Sequence, residues 1–414
     1  MTMIPQSILS ALQFRPNNIA VFRALQLGDM LCSVPALRAL RQALPHAHIT
    51  LIGLPNAAGF VQRFSRYLDD LMVFPGLAGM PEQAARQDAL PAFYADARAR
   101  RFDLAIQLHG SGDLTNPVVQ QLGARHCAGF VPPGHGRTPA KAPAGGTAGD
   151  IGCAPADYRF FIPWPDHLPE ILRYTALMHH LGIPVDSTDL EFPLSAEDHA
   201  GAIQLLQAHK LEPHRTVLVH PGARLPSRRW PVQRFAQVAN RLAAQGWQIA
   251  ITGSEDERPI TQSLLAAMHE TAAATSPDEA ELEAPLHRTA FAPAVSAMER
   301  IHIKPPVDLT GATSLGVLAA VVARCRLVVT NDTGMSHVAA AVQAPSVVVA
   351  SGSDVNRWAP LNRQRHTVLW QDVPCRPCAH HECPVPDHPC AHGIAVDDVA
   401  RQADRKLVQR TAHA

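Results

Sequence analysis

Arg326–Ala350, RLVVTNDTGMSHVAAAVQAPSVVVA, is the stretch whose reading decides the fold. Leu327, Val328 and Val329 are a short apolar run with β-branched character, which reads as a buried strand. Thr330, Asn331, Asp332, Thr333 and Gly334 are turn and cap residues. From Ser336 the spacing predicts a helix, with His337, Val338, Ala341 and Val342 three or four residues apart. Gln343-Ala344-Pro345 stops it, and Ser346–Ala350 reads as a second buried strand. A polar, glycine-containing turn then stands at the carboxyl end of the first strand, where parallel α/β sheets bind ligands. Free backbone N–H groups and a helix dipole meet at such a turn, which suits phosphate. The plainer alternative makes Asp332 or Thr333 only an N-cap. His337, one helical turn beyond Thr333, favours a site.

Working outward, strand and helix patterns alternate along the whole chain, which predicts βαβ units and parallel sheets. In the first half, strands are expected at Ile19–Arg23, His48–Gly53, Leu71–Phe74, Leu104–Leu108 and Cys127–Val131. Helices are expected at Met30–Leu44, Glu82–Arg98, Asn116–Leu122 and Ile171–Leu181. In the second half, strands at Thr216–Val219, Gln248–Thr252 and Val307–Leu309 precede the opening stretch. Helices there are expected at Ala196–His209, Val232–Gln245, Pro259–His269 and Ser314–Cys325. Pro132–Pro165 and Glu270–Pro306 are rich in proline and alanine with little periodicity, and read as inserted loops. The turn-rich Gly182–Pro193 is the candidate linker. The expected organisation is a first domain over 1–190, a second over 191–395 and a terminal helix over 396–414. A nicotinamide-binding use of this layout is disfavoured: the nearest glycine pattern, Gly110-Ser111-Gly112, lacks the third glycine.

Composition narrows the function classes. With 47% hydrophobic and 17% charged residues, 414 residues can bury two cores. Formal net charge is zero, which argues against nucleic acid as a partner. Only four of the 36 basic residues are lysine, so a cationic anchor here is expected to be arginine. No apolar run is long enough to span a bilayer, and the N-terminus lacks the basic start of a signal peptide.

Four blocks then resemble, in order, glycosyltransferase family 9, the ADP-heptose:lipopolysaccharide heptosyltransferases. Gly28-Asp29 with Pro35 looks like the family's G-D-x5-P, and Arg228-Arg229-Trp230-Pro231 like its K-R-W-P. Gly253–Glu257 looks like G-x-x-x-E, and Asp332-Thr333-Gly334 with His337 like D-T-G-x-x-H. The resemblance implies the GT-B fold: two Rossmann-like, doubly wound domains facing across a cleft. It implies a metal-independent, inverting transfer of heptose from a nucleotide-sugar donor to a saccharide or lipid-linked saccharide acceptor. A cytoplasmic enzyme is expected, and a lipid-linked acceptor would make it peripheral at the inner membrane face.

Sugar transfer needs a carboxylate to take the acceptor's proton, and the resemblance gives that role to Asp29. Capping the following helix is its alternative role. The departing diphosphate needs fixed positive partners or a metal, and the chain has no Asp-x-Asp motif. The expected donors are the N–H groups of Thr333 and Gly334 and the Arg228 guanidinium, which stands where lysine is usual. By resemblance Asp332 holds sugar hydroxyls and His337 supports the site. Glu257 holds the ribose hydroxyls, with Glu255 as the alternative register or a helix-dipole role as the plainer one. Gly222, after the Thr216–Val219 strand, completes the expected donor-binding set. No cofactor is required on this reading. Cys375, Cys378, Cys383 and Cys390 have spacing that admits a structural zinc, less regular than paired C-x-x-C hairpins. The helix Val396–Val408 is expected to return to the first domain. A nucleotide-sugar epimerase or a non-catalytic sugar-nucleotide-binding protein are the rival functions.

Overall fold

In the computed structural model, which describes residues 15–133, 158–275 and 304–409, every strand lies in one of two six-stranded sheets. The chain divides into Met1–Pro193 and Leu194–Ala414, one sheet in each unit. The first sheet holds β1 (Asn18–Phe22), β2 (His48–Gly53), β3 (Asp70–Val73), β4 (Leu104–Gln107), β5 (His126–Val131) and β6 (Phe161–Pro163). Its order is β3-β2-β1-β4-β5-β6, with parallel pairing throughout. The second holds β7 (Thr216–His220), β8 (Gln248–Ile251), β9 (Val307–Asp308), β10 (Leu327–Asn331), β11 (Ser346–Val349) and β12 (His366–Leu369). Its order, β12-β11-β10-β7-β8-β9, is also parallel throughout. In both sheets the chain runs to one edge and returns to the middle for the other, so β1/β4 and β7/β10 flank the switch points. Ligands bind outside the carboxyl ends of strands at such points.

The apolar runs read from sequence are strands buried on both faces. In the second sheet Val217, Val219, Ile249, Ile251, Leu327, Val329, Val347 and Val349 share one core. That core is closed by Phe235, Val238 and Leu242 of the helix Val232–Ala244. The alternate residues Leu218, Ala250 and Val328 join the opposite core with Ala320, Val321 and Val322 of the helix Leu315–Arg324. Side chains alternate across a strand, so an unbroken run of valine and leucine supplies both layers. Each buried side chain of this size contributes about 1.5–3 kcal/mol.

Several expectations need correction. The single helix over Met30–Leu44 is two, Leu27–Leu31 and Val34–Ala43. The N–H and hydroxyl of Ser33 both turn back to the Met30 carbonyl, at 3.0 and 2.7 Å, and Pro35 starts the second helix. The helix over Glu82–Arg98 is confined to Leu90–Ala99 after a short turn at Gln87–Ala89. β6 and β12 were not anticipated, since one falls inside the expected Pro132–Pro165 loop and the other is a four-residue edge strand. Most of the two inserted loops, 134–157 and 276–303, lies outside the described residues. The terminal helix Val396–Gln409 lays Val399, Ala400, Ala403 and Leu407 into the second unit's core.

Candidate functional site

In the first unit, Arg23 follows β1 and is fully buried. Its Nε donates to the Asp29 carbonyl at 3.1 Å, and Nη2 donates to the same oxygen. Its Nη1 donates to the Leu108 carbonyl beyond β4 and to the Tyr174 hydroxyl at 2.6 Å. The guanidinium lies 4.4 Å from the centre of the Tyr174 ring, and Glu170 stands 4.0 Å away. Burial works against the Arg23 charge, but Tyr174, Glu170 and Asp29 outweigh it and hold its pKa above the ordinary value. One buried cation thus joins the loops after β1 and β4 at the switch point.

Asp29 lies half-buried in the first turn of Leu27–Leu31. The N-cap position belongs to Gln26, so Asp29 is not the capping residue. Beyond β4, the His109 ring stacks on Phe22 at 5.7 Å and its Nδ1 accepts from the Ala24 N–H at 3.3 Å. Gly112, at φ +102°, packs so closely that a Cβ there would lie 2.4 Å from Asn116 Nδ2 and the Phe130 carbonyl. That glycine serves backbone packing, in line with the missing dinucleotide fingerprint.

In the second unit, the expected donor residues gather on loops at the carboxyl ends of β7, β8 and β10. Asn331, fully buried, is the shared partner. Its Oδ1 accepts from the Trp230 N–H at 3.0 Å, and its Nδ2 donates to the carbonyls of Pro221 and Gly222 at 2.7 and 3.3 Å. Trp230 is buried edge-on against Phe235 and donates its indole N–H to the Ile394 carbonyl at 3.2 Å. The Arg228 loop, the Gly222 loop and the Asp332 turn are thereby tied to one amide.

Glu257 lies beside Gly222. A Cβ built on Gly222 would stand 2.0 Å from the Glu257 Oε1. The Ser254 N–H and hydroxyl both reach Glu257 Oε2, at 2.9 and 3.3 Å, and hold the carboxylate in place. His220 Nε2 is 3.9 Å from it, and His220 Nδ1 meets Thr252 Oγ1 at 3.3 Å. Burial lowers the His220 pKa against the pull of Glu257, so the imidazole is neutral at pH 7. Glu255, the alternative register, is engaged twice by Arg258 at 2.6 Å and points to the β9 side, where Arg258 also meets the Thr310 carbonyl.

At the turn after β10, Thr333 is the N-cap and accepts from the Met335 N–H at 3.3 Å. Asp332 does something else. Its Oδ2 accepts from the Ser353 hydroxyl at 2.6 Å and its Oδ1 from Ser336 at 3.3 Å. Gly334 opens the helix Gly334–Ala341, and His337, buried on that helix, meets Trp358 edge-on at 6.2 Å. Arg228 is partly exposed and donates from Nη2 to the Cys378 carbonyl at 3.4 Å. Its Nε is buried and has no hydrogen-bond partner among the described residues.

Cys375, Cys378, Cys383 and Cys390 are free thiols. Among the described residues no group of three or more His, Cys, Asp or Glu side chains is arranged to hold a metal ion. The Cys378 N–H is bonded to the Gly352 carbonyl at 2.7 Å, and the Cys383 thiol to the Val385 carbonyl at 3.5 Å. Sequence reading missed Arg23, Asn331, Ser353 and Ser254. Arg23 alone carried a local signal: an arginine ending an apolar strand. No described helix is long and apolar enough to cross a membrane.

The sequence model of glycosyltransferase family 9 (heptosyltransferase) matches residues 140–281 and 289–388, more than half of the chain. Lipopolysaccharide heptosyltransferase 2 of Salmonella typhimurium is 26% identical over 202 residues, 47% of this chain and 49% of that protein. Lipooligosaccharide heptosyltransferase 2 of Haemophilus influenzae is 29% identical over 143 residues, 34% and 33% of the two chains. These matches span about half or less of the relatives' lengths. Among solved structures, the glycosyl transferase family 9 protein from Veillonella parvula superposes with TM-score 0.65 at 19% identity, covering 95% of this chain and 98% of that one. The E. coli ADP-heptose lps heptosyltransferase II superposes with TM-score 0.61 at 20% identity, covering 95% and 99%. The fold is thus GT-B, and with its family motifs on the switch-point loops the chain belongs to glycosyltransferase family 9.

Proposed function

We propose that this chain is an inverting, metal-independent glycosyltransferase that moves heptose from ADP-heptose to a saccharide of the lipopolysaccharide core or a similar acceptor. The observation that carries this reading is the convergence of the Gly222, Arg228, Glu257 and Asp332 loops at the β7/β10 switch point. Glu257, held by Ser254 beside a glycine that leaves it room, is suited to the ribose hydroxyls. The N–H groups of Thr333 and Gly334 and the partly exposed Arg228 guanidinium are suited to the diphosphate. Asp332 would take sugar hydroxyls, and His337 would support the turn from beneath.

Asp29 is the general base in this reading. Its carboxylate takes the proton of the acceptor hydroxyl as that oxygen attacks the anomeric carbon. The bond from that carbon to the diphosphate breaks, and its electron pair leaves with the nucleotide. Attack opposite the leaving group inverts the centre. A lipid-linked acceptor would bring the enzyme to the inner membrane face. Structural zinc at Cys375, Cys378, Cys383 and Cys390 is a separate proposal. It requires the thiols to converge, and elemental analysis decides it: one equivalent per chain supports it and none removes it.

Thermal-shift measurement against ADP, GDP, UDP and their sugar conjugates tests the donor, because a ligand bound only by the folded state raises the melting temperature. ADP and ADP-heptose should stabilise; stabilisation by UDP-sugars alone would rule out the heptose donor. Asp29→Asn should keep the fold and donor binding and lose transfer. Unchanged transfer would remove Asp29 from the mechanism.

A further inference from the structure

The Cys-rich segment returns to the donor loops of the second unit at several points. The Ser227 N–H donates to the His381 carbonyl at 3.0 Å and its hydroxyl to the His380 carbonyl at 2.6 Å. The Ser227 carbonyl meets His388 Nε2 at 2.9 Å. The Cys378 main chain links the Gly352 carbonyl to the Arg228 guanidinium. Arg376 donates from Nη1 to the Gln371 carbonyl at 2.9 Å and from Nη2 to the Ser353 carbonyl at 2.6 Å. It therefore bridges the loops that leave β11 and β12.

Ser353 is the residue that matters for the site. It is 1% exposed, and its hydroxyl donates to Asp332 Oδ2 at 2.6 Å. A single residue separates the Arg376 guanidinium from the carboxylate assigned to the donor sugar. Among the described residues the hydrogen bonds that reach the two Asp332 oxygens come from hydroxyls, so its orientation follows where those hydroxyls are held. Ser336 is fixed by its helix and also donates to the Thr333 carbonyl at 2.7 Å. Ser353 sits in an irregular turn, and the planar fork of Arg376 fixes that turn to two carbonyls at once.

We propose that Arg376 is a positioning residue that sets the Asp332 carboxylate through Ser353, which makes the Cys-rich segment a wall of the donor site. The proposal rests on the nucleotide-sugar reading above and extends it to the contact that distinguishes a sugar-bearing donor from the bare nucleotide. Asp332 is the sugar contact in that reading, so the relay governs affinity for ADP-heptose and leaves affinity for ADP alone. Sequence gave no sign of it, because Arg376 and Asp332 are far apart in the chain and Ser353 belongs to no motif.

Isothermal titration of the full chain with ADP and with ADP-heptose tests it, with circular dichroism melting as the check on folding. Arg376→Ala should weaken ADP-heptose roughly tenfold and ADP less than about twofold, the loss expected when one charge-assisted hydrogen bond no longer orients a ligand group. Arg376→Lys should recover part of the loss. Ser353→Ala should show the same split, and Arg376→Ala should add nothing to it, since both act on one carboxylate. Gly352→Ala offers an independent route. Its Cβ would lie 2.9 Å from that of Cys378 and push the segment off the loop. It should lower ADP-heptose affinity, and ADP affinity with it, because the Cys378 carbonyl also holds the Arg228 guanidinium.

If the folded Arg376→Ala protein keeps the wild-type ratio of the two affinities, or if the Arg376 and Ser353 effects add, the relay is refuted and the donor reading stands. If the wild type binds neither ADP nor ADP-heptose, the donor reading fails and the relay fails with it.

Discussion

Arg23→Met is the sharpest test of how the first unit is built. The substitution keeps most of the side-chain volume and removes a fully buried charge. It takes the N–H partners from the Asp29 and Leu108 carbonyls and one donor from the Tyr174 hydroxyl. Glu170 would lose the cation at 4.0 Å but keep Arg173 at 3.4 Å, so it is not left alone. Removing one partner of a buried pair costs about 3–5 kcal/mol, and the remaining Arg173 places this case at ~3 kcal/mol. For a unit of this size that corresponds to a fall of roughly 6–12 °C in melting temperature. Global stability of about 5–15 kcal/mol means the variant still folds at room temperature. Urea unfolding should show the loss, and amide exchange should rise in the peptide carrying Asp29 before the rest of the unit opens. Turnover should fall even where the protein is folded, because the carbonyl of Asp29 has lost its anchor. Arg23→Lys should lie between, since a point charge cannot reproduce the fork. A loss below about 1 kcal/mol, or unchanged exchange at residues 24–33, would refute Arg23 as the tie between the β1 and β4 loops.

Two further outcomes follow from the second unit. Gly222→Ala should fold and lose nucleotide affinity by about tenfold or more, because its Cβ would stand 2.0 Å from a Glu257 oxygen and displace the carboxylate; an unchanged dissociation constant for ADP would remove Glu257 from the donor site. His366 is pushed down to about 3 from the usual 6.5 by burial first, then by Arg365, Lys406, Arg363 and His337. The unfolded chain then binds the proton first, so stability is intact above pH 6.5 and declines as pH falls toward 3, by up to about 1.4 kcal/mol per pH unit. Burial lowers His220 in the same sense. Urea midpoints at pH 7 and pH 5 should differ, and His366→Gln should reduce the difference; equal midpoints in the wild type would contradict it.

The sheets were legible because their signal is local. A run such as Leu327-Val328-Val329 specifies a strand buried on both sides, and the turn after it lies at the switch point by topology alone. β12 escaped because His366-Thr367-Val368-Leu369 is short, at a sheet edge, and buried on alternate residues only. The helix break at Cys32-Ser33 escaped because Ser33 ends the first helix by bonding back to Met30, an interaction that leaves the apolar period intact. In the candidate site, Glu257 against Glu255 is a question of register that motif spacing leaves open; what the spacing could not show is that Glu257 lies beside Gly222. Arg376 and Ser353 escaped because nothing near either residue in the chain points to Asp332.

The amide of Asn331 has a consequence for anyone redesigning this protein. Two loops hang from one side chain, the Gly222 loop through two carbonyl acceptors and the tryptophan loop through an N–H. On the proposed donor reading, a new nucleotide preference cannot be grafted by exchanging the Gly222 loop or the tryptophan loop singly. Whichever replacement arrives must present its main chain to the same amide, so 220–230 and 331–334 are best transplanted as one cassette.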